Sequence, residues 1–280
     1  MKSFTVEEAV RAVGGEYRGD AKFLKTVVTN VTSDSRTVGK GSLFVAIRGE
    51  RSDGHDYIAP SLAAGAALCI SCREPRDESE TPCVVVGDSV RAVGDLAAWY
   101  RTRFQIPVVG VTGSVGKTTT KEMIYAVLSK KFRTHKTQKN FNNELGVPQT
   151  LLAMPEDAQA AVIEMGISHF GEMERLADIV RPTIAVIGII GYSHLEFLHD
   201  RAGVLRAKGE IVRNMGSDGL LIVNGDDDLL RDFSPVCRVV YGTEKGFDFV
   251  AENIQNLGQD GVSCTVSWRE HSIDVVIPAY

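Results

Sequence analysis

The sequence predicts an α/β protein: a small N-terminal α/β domain, then a central domain with a mostly parallel sheet and an appended antiparallel β meander. Short apolar, β-branched runs alternate with stretches of helical periodicity over most of the 280 residues, which is typical of parallel sheets. A glycine-rich segment at 110–120 joins one such run to a helix. After residue 246 the apolar residues alternate with period two, which predicts the meander.

The composition indicates a soluble globular protein, with 44% hydrophobic and 24% charged residues. The net charge of −5 argues against a nucleic-acid partner. No apolar run approaches the roughly 20 residues of a membrane span, and the N-terminus lacks a signal-peptide core. We therefore expect a cytoplasmic monomer. The five cysteines, including a lone CxxC at 69–72, do not complete a metal set, so we expect reduced thiols.

The first domain is expected to span residues 1–103. Its predicted elements, in order, are a capped helix from Thr5 to Gly14, strands at 27–32 and 43–47, a helix at 60–66, strands at 67–71 and 83–86, and a helix at 89–103.

Two polar clusters, at 33–36 and 53–56, follow strands of this first domain. Ligands usually bind where strands of an α/β fold end, so both clusters are candidate binding segments. Aspartate, serine and glycine also form turns for purely structural reasons, and the spacing alone does not separate the two interpretations.

The second domain is expected to span 104–280 and to begin with a phosphate-binding loop. An apolar strand at 106–111 leads into GVTGSVGKTTT, and a helix starts near Lys117. Small residues let backbone N–H groups surround phosphate oxygens, Lys117 adds a charge, and the Thr118 hydroxyl can hold Mg²⁺. Val111 occupies the position of the usual first glycine, so the loop is a variant. The alternative is a glycine-rich turn that binds nothing. We favour a loop that binds ATP through Gly113, Ser114, Val115, Gly116, Lys117, Thr118 and Thr119.

Further candidates follow later strands of this domain. Glu164 ends an apolar strand at 160–163 and is placed to reach Mg²⁺, the alternative being a carboxylate that faces solvent. His194 follows a strand at 183–190 and is either structural or a ligand of metal or phosphate. A helix is predicted at 206–215, and the 224–227 turn either faces the nucleotide or only reverses the chain.

Two stretches have an unusual pattern. The segment at 137–148 contains three asparagines, a glycine and a proline, which excludes an ordinary helix and suits contacts with phosphate or peptide. Strands at 247–254, 262–268 and 273–277 form the meander, and the sequence stops at 280 directly after them. We expect that something normally follows.

These motifs together resemble the Mur ligases of the cell-wall peptide-addition pathway, over essentially the whole sequence. The matching segments are TSDSR at 32–36, LFVAIRGE and DGHD, GSVGKTTTKEM, NFNNELGVP, EMG to GEM at 164–173, SHLE at 193–196 and AKGEI at 207–211. The asparagine loop and the 171–172 segment resemble the F-type, whereas the first two segments are shared with the E-type. At 188–189 this sequence has Gly-Ile where family members often have Thr-Asn, so any role of that asparagine does not transfer.

The resemblance implies a three-domain ligase of which this sequence covers the first domain and most or all of the second. It implies ATP phosphates at 114–119 and catalytic roles for Lys117, Glu164, His194 and Lys208. Mg²⁺ is implied at Thr118, Glu164, His194 and Lys208, the last as a possible carbamate, which suits a desolvated lysine. UDP-MurNAc-tripeptide is implied near Ser35, Arg36, Asn140 and Asn143.

The reaction implied for the F-type is ATP-driven addition of D-Ala-D-Ala to UDP-MurNAc-tripeptide through an acyl phosphate, in peptidoglycan synthesis for cell shape and division. Three alternatives remain open: a binding module that holds nucleotides without ligating, an E-type ligase adding the third amino acid, and a P-loop kinase or GTPase. No guanine-reading motif supports the last. We expect little or no phosphate release from these 280 residues alone.

Overall fold

The computed structural model describes residues 1–50 and 52–278. Arg51 and the sequence end at 279–280 lie outside the described residues. Contacts between Cα atoms divide the chain into two compact units. The first unit comprises Met1–Ile106, Val127–Ile163 and Asp178–Val180, and the second comprises Pro107–Ala126, Glu164–Ala177 and Arg181–Tyr280. The predicted domain boundary after residue 103 stays a prediction.

The first 106 residues alternate short strands with helices, as an α/β domain requires. In chain order these elements are β1 (Phe4–Thr5), α1 (Val6–Val13), β2 (Glu16–Arg18), β3 (Val27–Val28), β4 (Asn30–Thr32), β5 (Ser42–Val45), α2 (Ile58–Ala63), β6 (Leu68–Ser71), β7 (Cys83–Val85) and α3 (Ser89–Arg101).

The predicted capping box of α1 is present. The Thr5 hydroxyl accepts from the Glu8 N–H at 3.2 Å, and the Glu8 carboxylate accepts from the Thr5 N–H at 2.7 Å. Gly14 ends the helix with φ of +66°, a conformation that glycine adopts without strain. Local sequence therefore determines both ends of this helix.

Five of these strands form a sheet in the order β2-β7-β6-β5-β4. Strands β4 to β7 are parallel, and β2 joins β7 antiparallel. All residues of β5 and β6 are buried, which explains their continuous apolar character. The parallel strands end at one edge, and the 33–36 and 53–56 clusters follow β4 and β5 at that edge.

The remaining residues carry the second set of elements. In chain order they are β8 (Val108–Thr112), α4 (Lys117–Leu128), β9 (Thr134–Lys136), α5 (Gly146–Leu152), β10 (Ala160–Glu164), α6 (Glu172–Val180), β11 (Ile184–Ile187), α7 (Leu195–Leu198), α8 (Arg201–Gly209), β12 (Leu220–Asn224), β13 (Arg238–Gly242), β14 (Phe249–Asn256), β15 (Val262–Trp268) and β16 (His271–Ile277). None of the helices in residues 1–50 and 52–278 has the length and apolar character to cross a bilayer.

In the second unit the strand order is β16-β15-β14-β13-β12-β11-β8. The pairs from β8 to β14 are parallel, and β15 and β16 add to β14 as an antiparallel meander. The predicted fold class is confirmed. In the first unit, β9 and β10 pair in parallel.

Several elements differ from the sequence prediction. Strands β1, β2, β9 and β13 and helices α6 and α7 were not predicted, and most of these elements are too short to give a recognisable pattern. The helix predicted at 206–215 instead starts at Arg201, capped by Asp200, whose carboxylate accepts from the Gly203 N–H at 2.6 Å. The asparagine segment gives way to α5 at Gly146, and Pro148 lies in the first helical turn, where it costs no hydrogen bond.

A buried ion pair in the first unit gives a pH-dependent prediction. The Glu80 carboxylate is 4% exposed and accepts from both terminal nitrogens of Arg73, at 2.6 and 2.9 Å. These hydrogen bonds lower the pKa of Glu80 from 4.5 to about 2. The pair therefore stabilises the fold above pH 4.5, and this contribution is lost as the pH falls toward 2.

We expect Glu80→Gln to lower the free energy of unfolding at pH 7 by about 2 kcal/mol, because the Arg73 charge loses its partner. The variant should also lose less stability than the wild type between pH 4.5 and pH 2. Urea unfolding at several pH values measures both, with the exposed Glu78→Gln as control. A Glu80→Gln variant with the wild-type pH dependence would contradict the assignment.

Candidate active site

The phosphate loop lies between β8 and α4, where the sequence places it. Gly116 has φ of +78°, a left-handed conformation that requires a glycine there. Val111, at the position of the usual first glycine, is inside β8 and pairs with Val186 of β11. A Cβ on Gly110 would lie 3.1 Å from the Met165 sulfur, so that glycine serves close packing within the sheet. The loop itself therefore runs from Gly113 to Gly116.

Lys117 reaches back over this loop. Its Nζ donates to the carbonyl oxygens of Gly113 at 2.9 Å and Ser114 at 3.4 Å. Burial lowers the pKa of Lys117, while the negative charge of Glu164 acts in the opposite direction. A cation is thus held at the mouth of the loop, where a phosphate group would arrive.

Glu164 contacts the start of α4 directly. The Thr118 hydroxyl donates to Glu164 Oε2 at 3.0 Å, and Glu164 is 1% exposed. The interpretation of Glu164 as a solvent-facing carboxylate is therefore wrong. Two hard oxygen ligands, a hydroxyl and a carboxylate, meet beside the phosphate loop.

Lys121 also reaches this carboxylate, and it is a residue that was not predicted from the sequence. Its Nζ lies 3.6 Å from Glu164 Oε2 and 3.2 Å from Glu122 Oε1, and the side chain is 1% exposed. The available signal was its spacing: it follows Lys117 by four residues, on the same face of α4.

The segment after β11 packs against the phosphate loop. The Ser114 N–H donates to the Ile189 carbonyl at 2.8 Å, and the Ser114 hydroxyl accepts from the Gly191 N–H at 2.9 Å. The Ser193 hydroxyl donates to the same Ser114 oxygen at 3.0 Å. Because β8 and β11 are parallel, their carboxyl ends lie at the same edge of the sheet. These hydrogen bonds connect the phosphate loop after β8 to the segment after β11.

The turn at 224–227 supports this segment through Asp227. The buried Asp227 carboxylate accepts from the Ile190 N–H at 2.8 Å and from the Leu229 N–H at 3.0 Å. The Asn224 side chain accepts from the Asp226 N–H, and Asp226 accepts from Thr243. These hydrogen bonds favour the structural interpretation of the turn.

His194 and Lys208 lie within electrostatic range of the loop. His194 has φ of +53° and is largely exposed; its partial desolvation and the charges of Lys208 and Lys117 lower its pKa, which favours the neutral imidazole. Lys208, in α8, is 1% exposed, and burial and the charge of Lys117 lower its pKa to about 8. The structure thus joins Thr118 to Glu164 by direct contact and brings Lys117, Lys208 and His194 near one another.

No three His, Cys, Asp or Glu side chains within residues 1–50 and 52–278 are arranged to hold a metal ion by themselves. In proteins Mg²⁺ commonly takes one or two side-chain oxygens and completes its shell with phosphates and water. Thr118 and Glu164 supply such oxygens. The predicted metal set that adds His194 and Lys208 stays a prediction.

The predicted substrate residues lie in the first unit. Arg36 is 86% exposed and forms a bidentate ion pair with Asp34, and Ser35 is half-buried between them. The Asn143 side chain accepts from the Gly146 N–H at 2.9 Å and so supports the start of α5, while Asn140 is exposed.

A cavity of about 350 Å³ lies between the two segments that carry these residues, and the Gln149 amide bridges to the Ser33 hydroxyl there at 3.0 Å. Its lining comes from residues 31–37 of one segment and from residues 135–153 of the other. The two predicted substrate segments therefore face one cavity, but none of the four predicted side chains, Ser35, Arg36, Asn140 and Asn143, is among the residues that line it.

Side chains of the second polar cluster bond to one another and to neighbouring backbone. The Asp53 carboxylate accepts from the His55 N–H at 2.9 Å and lies 2.6 Å from His55 Nδ1. The Nε2 atom of the buried His55 accepts from the Cys72 N–H at 3.0 Å. For these side chains, the turn interpretation accounts for the contacts.

Comparison with known families decides the affiliation. The Mur ligase middle domain matches residues 111–280, and the catalytic domain of the Mur ligase family matches residues 27–113. The chain belongs to the Mur ligase family. The match places the phosphate loop, Glu164, His194 and Lys208 within the middle domain of this Mur ligase.

Three relatives show the extent of the similarity. The chain is 37% identical to the UDP-N-acetylmuramoyl-tripeptide–D-alanyl-D-alanine ligase of Bacillus subtilis, over 98% of this chain and 60% of that protein. Its fold matches MurF from Acinetobacter baumannii with a TM-score of 0.89 at 32% identity, over 99% of this chain and 61% of that one. MurF from Thermotoga maritima, solved in complex with ADP, matches with a TM-score of 0.82 at 31% identity, over 90% of this chain and 59% of that one. This Mur ligase chain thus spans about 60% of the length of these relatives.

Proposed function

We propose that this chain provides the nucleotide-binding and substrate-binding parts of an F-type Mur ligase, which adds D-Ala-D-Ala to UDP-MurNAc-tripeptide at the expense of ATP. The observation that carries the ATP assignment is the contact between Thr118 and the buried Glu164 beside the phosphate loop. The substrate assignment is supported by relatives of this activity that match nearly the whole chain. The proposal places the reaction in the cytoplasm, where ATP is available.

The proposed reaction has two steps. A carboxylate oxygen of the tripeptide attacks the γ-phosphorus of ATP, and the bond from this phosphorus to the bridging oxygen breaks. ADP departs, and the tripeptide now carries an acyl phosphate. The amine of D-Ala-D-Ala then attacks the acyl carbon, loses a proton, and displaces phosphate to form the amide. Positioning and charge neutralisation account for most of the catalysis in phosphoryl transfer.

The residues of the second unit have distinct roles in this proposal. Lys117 leaves the Gly113 and Ser114 carbonyls to neutralise charge on the phosphate groups. Thr118 and Glu164, with His194 and Lys208 as further candidates, would hold Mg²⁺, which supplies Lewis-acid stabilisation of phosphate charge. Ser35, Arg36, Asn140 and Asn143 stay the proposed contacts for UDP-MurNAc-tripeptide.

Lys208 is proposed to form a carbamate. Only a neutral amine attacks CO₂, and a pKa of about 8 leaves roughly half of the Lys208 amines neutral at pH 8. We expect a ¹³C NMR carbamate signal at pH 8 with ¹³C-labelled bicarbonate, and its loss in Lys208→Arg. The exposed Lys245→Arg serves as control. A signal that persists in Lys208→Arg, or none in the wild type, would exclude the carbamate.

The binding-module alternative is separated from the ligase by combining calorimetry with turnover. We expect this chain to bind ADP with Mg²⁺, and the full-length protein to release phosphate only when UDP-MurNAc-tripeptide and D-Ala-D-Ala are both present. Binding without turnover in the full-length protein would favour a module. Turnover with UDP-MurNAc-dipeptide and a free diamino acid would favour the E-type.

A further inference from the structure

Lys121 is buried where packing alone would favour an apolar residue. Within α4, all of whose residues the structure describes, Lys121 alone is buried. Removing an ammonium group from water is costly unless opposite charges and hydrogen bonds compensate. A hydrophobic residue of similar volume would often be as stable or more stable at such a site. The charge therefore needs an explanation other than stability.

The contacts of Lys121 point to Glu164. Oxygen Oε2 of Glu164 accepts from the Thr118 hydroxyl at 3.0 Å and lies 3.6 Å from Lys121 Nζ. Thr118 and Lys121 are three residues apart, so one face of α4 holds one carboxylate oxygen from two sides. This helix begins at the phosphate loop, and the arrangement ties the orientation of the carboxylate to the loop.

Lys121 has a second acidic partner, Glu122, which determines how removal of the ammonium would affect Glu164. Nζ lies 3.2 Å from Glu122 Oε1, so the ammonium separates two carboxylates that both contact it. Without the ammonium, repulsion between these carboxylates would favour rotation of Glu164 away from Thr118.

We propose that Lys121 is a positioning residue, which holds the Glu164 carboxylate beside Thr118 so that the site is preorganised for a divalent cation bound with nucleotide. This inference rests on the proposed function, because it assumes that the loop binds ATP with Mg²⁺. Lys121 acts through Glu164 and does not itself touch the nucleotide. Preorganised ligands avoid the cost of reorientation on binding.

The test is a double-mutant cycle read out as ADP affinity, with Mg²⁺ and with EDTA. We expect Lys121→Met to weaken ADP binding about tenfold in the presence of Mg²⁺. In EDTA its affinity for ADP should stay within about twofold of the wild-type affinity. The charge-conserving Lys121→Arg should retain most of the affinity. In a Glu164→Gln background, Lys121→Met should have no further effect on the Mg²⁺ dependence, because the group through which it acts has lost its charge.

Equal losses in Mg²⁺ and EDTA would overturn the inference, since they would indicate a general structural role. So would additive effects of Lys121→Met and Glu164→Gln. If Lys121→Met does not fold, Lys121→Gln, which removes the ammonium and keeps a polar side chain, repeats the comparison with the same expected loss. A wild-type chain that binds no ADP in either condition would instead contradict the proposed function itself.

Discussion

Replacing Lys117 with alanine is expected to abolish turnover in the full-length ligase, with a loss of about a thousandfold or more. The Lys117 ammonium is the cation that the phosphate loop holds at its own carbonyls, 2.9 Å from Gly113 O. Its removal leaves charge on the transferring phosphoryl group without this partner. Phosphate release, followed with both substrates at saturation, measures the effect.

The matched control for Lys117 is Lys130→Ala, an exposed lysine beyond the end of α4. This variant should keep wild-type turnover, because it changes net charge equally without touching the loop. Circular dichroism spectra of both variants check that the fold is retained. Near wild-type turnover in Lys117→Ala would remove the lysine from the proposed mechanism.

Glu164→Gln is expected to reduce turnover by about a hundredfold or more while leaving ADP affinity in EDTA within about twofold. Glutamine keeps the shape of the side chain and can still accept from the Thr118 hydroxyl, but it removes the charge that would hold Mg²⁺. The dependence of turnover on Mg²⁺ concentration should therefore shift to higher concentrations.

The exposed Glu196→Gln is the control for this substitution, since it removes one carboxylate near the same edge of the second unit. It should leave the Mg²⁺ dependence unchanged. An unaltered Mg²⁺ dependence in Glu164→Gln would show that the carboxylate has a purely structural role with Thr118 and Lys121.

The sequence predicted those parts of the site that depend on local pattern. A glycine-rich loop between an apolar strand and a helix is recognisable because neighbouring residues make it, and the loop is present at 113–116. The strand-end position of Glu164 was predicted because it ends an apolar run, and it is the last residue of β10.

The parts that sequence reasoning missed depend on distant contacts. Lysine is seldom buried, and nothing in the local sequence shows that Lys121 packs against Glu164. Asp227 supports Ile190 across 37 positions in the chain, which no local pattern encodes. The assignment of residues 127–163 to the first unit likewise follows from packing between segments far apart in sequence.

The most direct test of the proposed function is the product that the full-length protein forms from ATP, UDP-MurNAc-tripeptide and D-Ala-D-Ala. Mass spectrometry should find the UDP-MurNAc-pentapeptide, with one ADP and one phosphate for each amide formed. Omission of the dipeptide should remove the amide product. ADP and phosphate without the pentapeptide, or a product that carries a single added amino acid, would contradict the assignment as an F-type ligase.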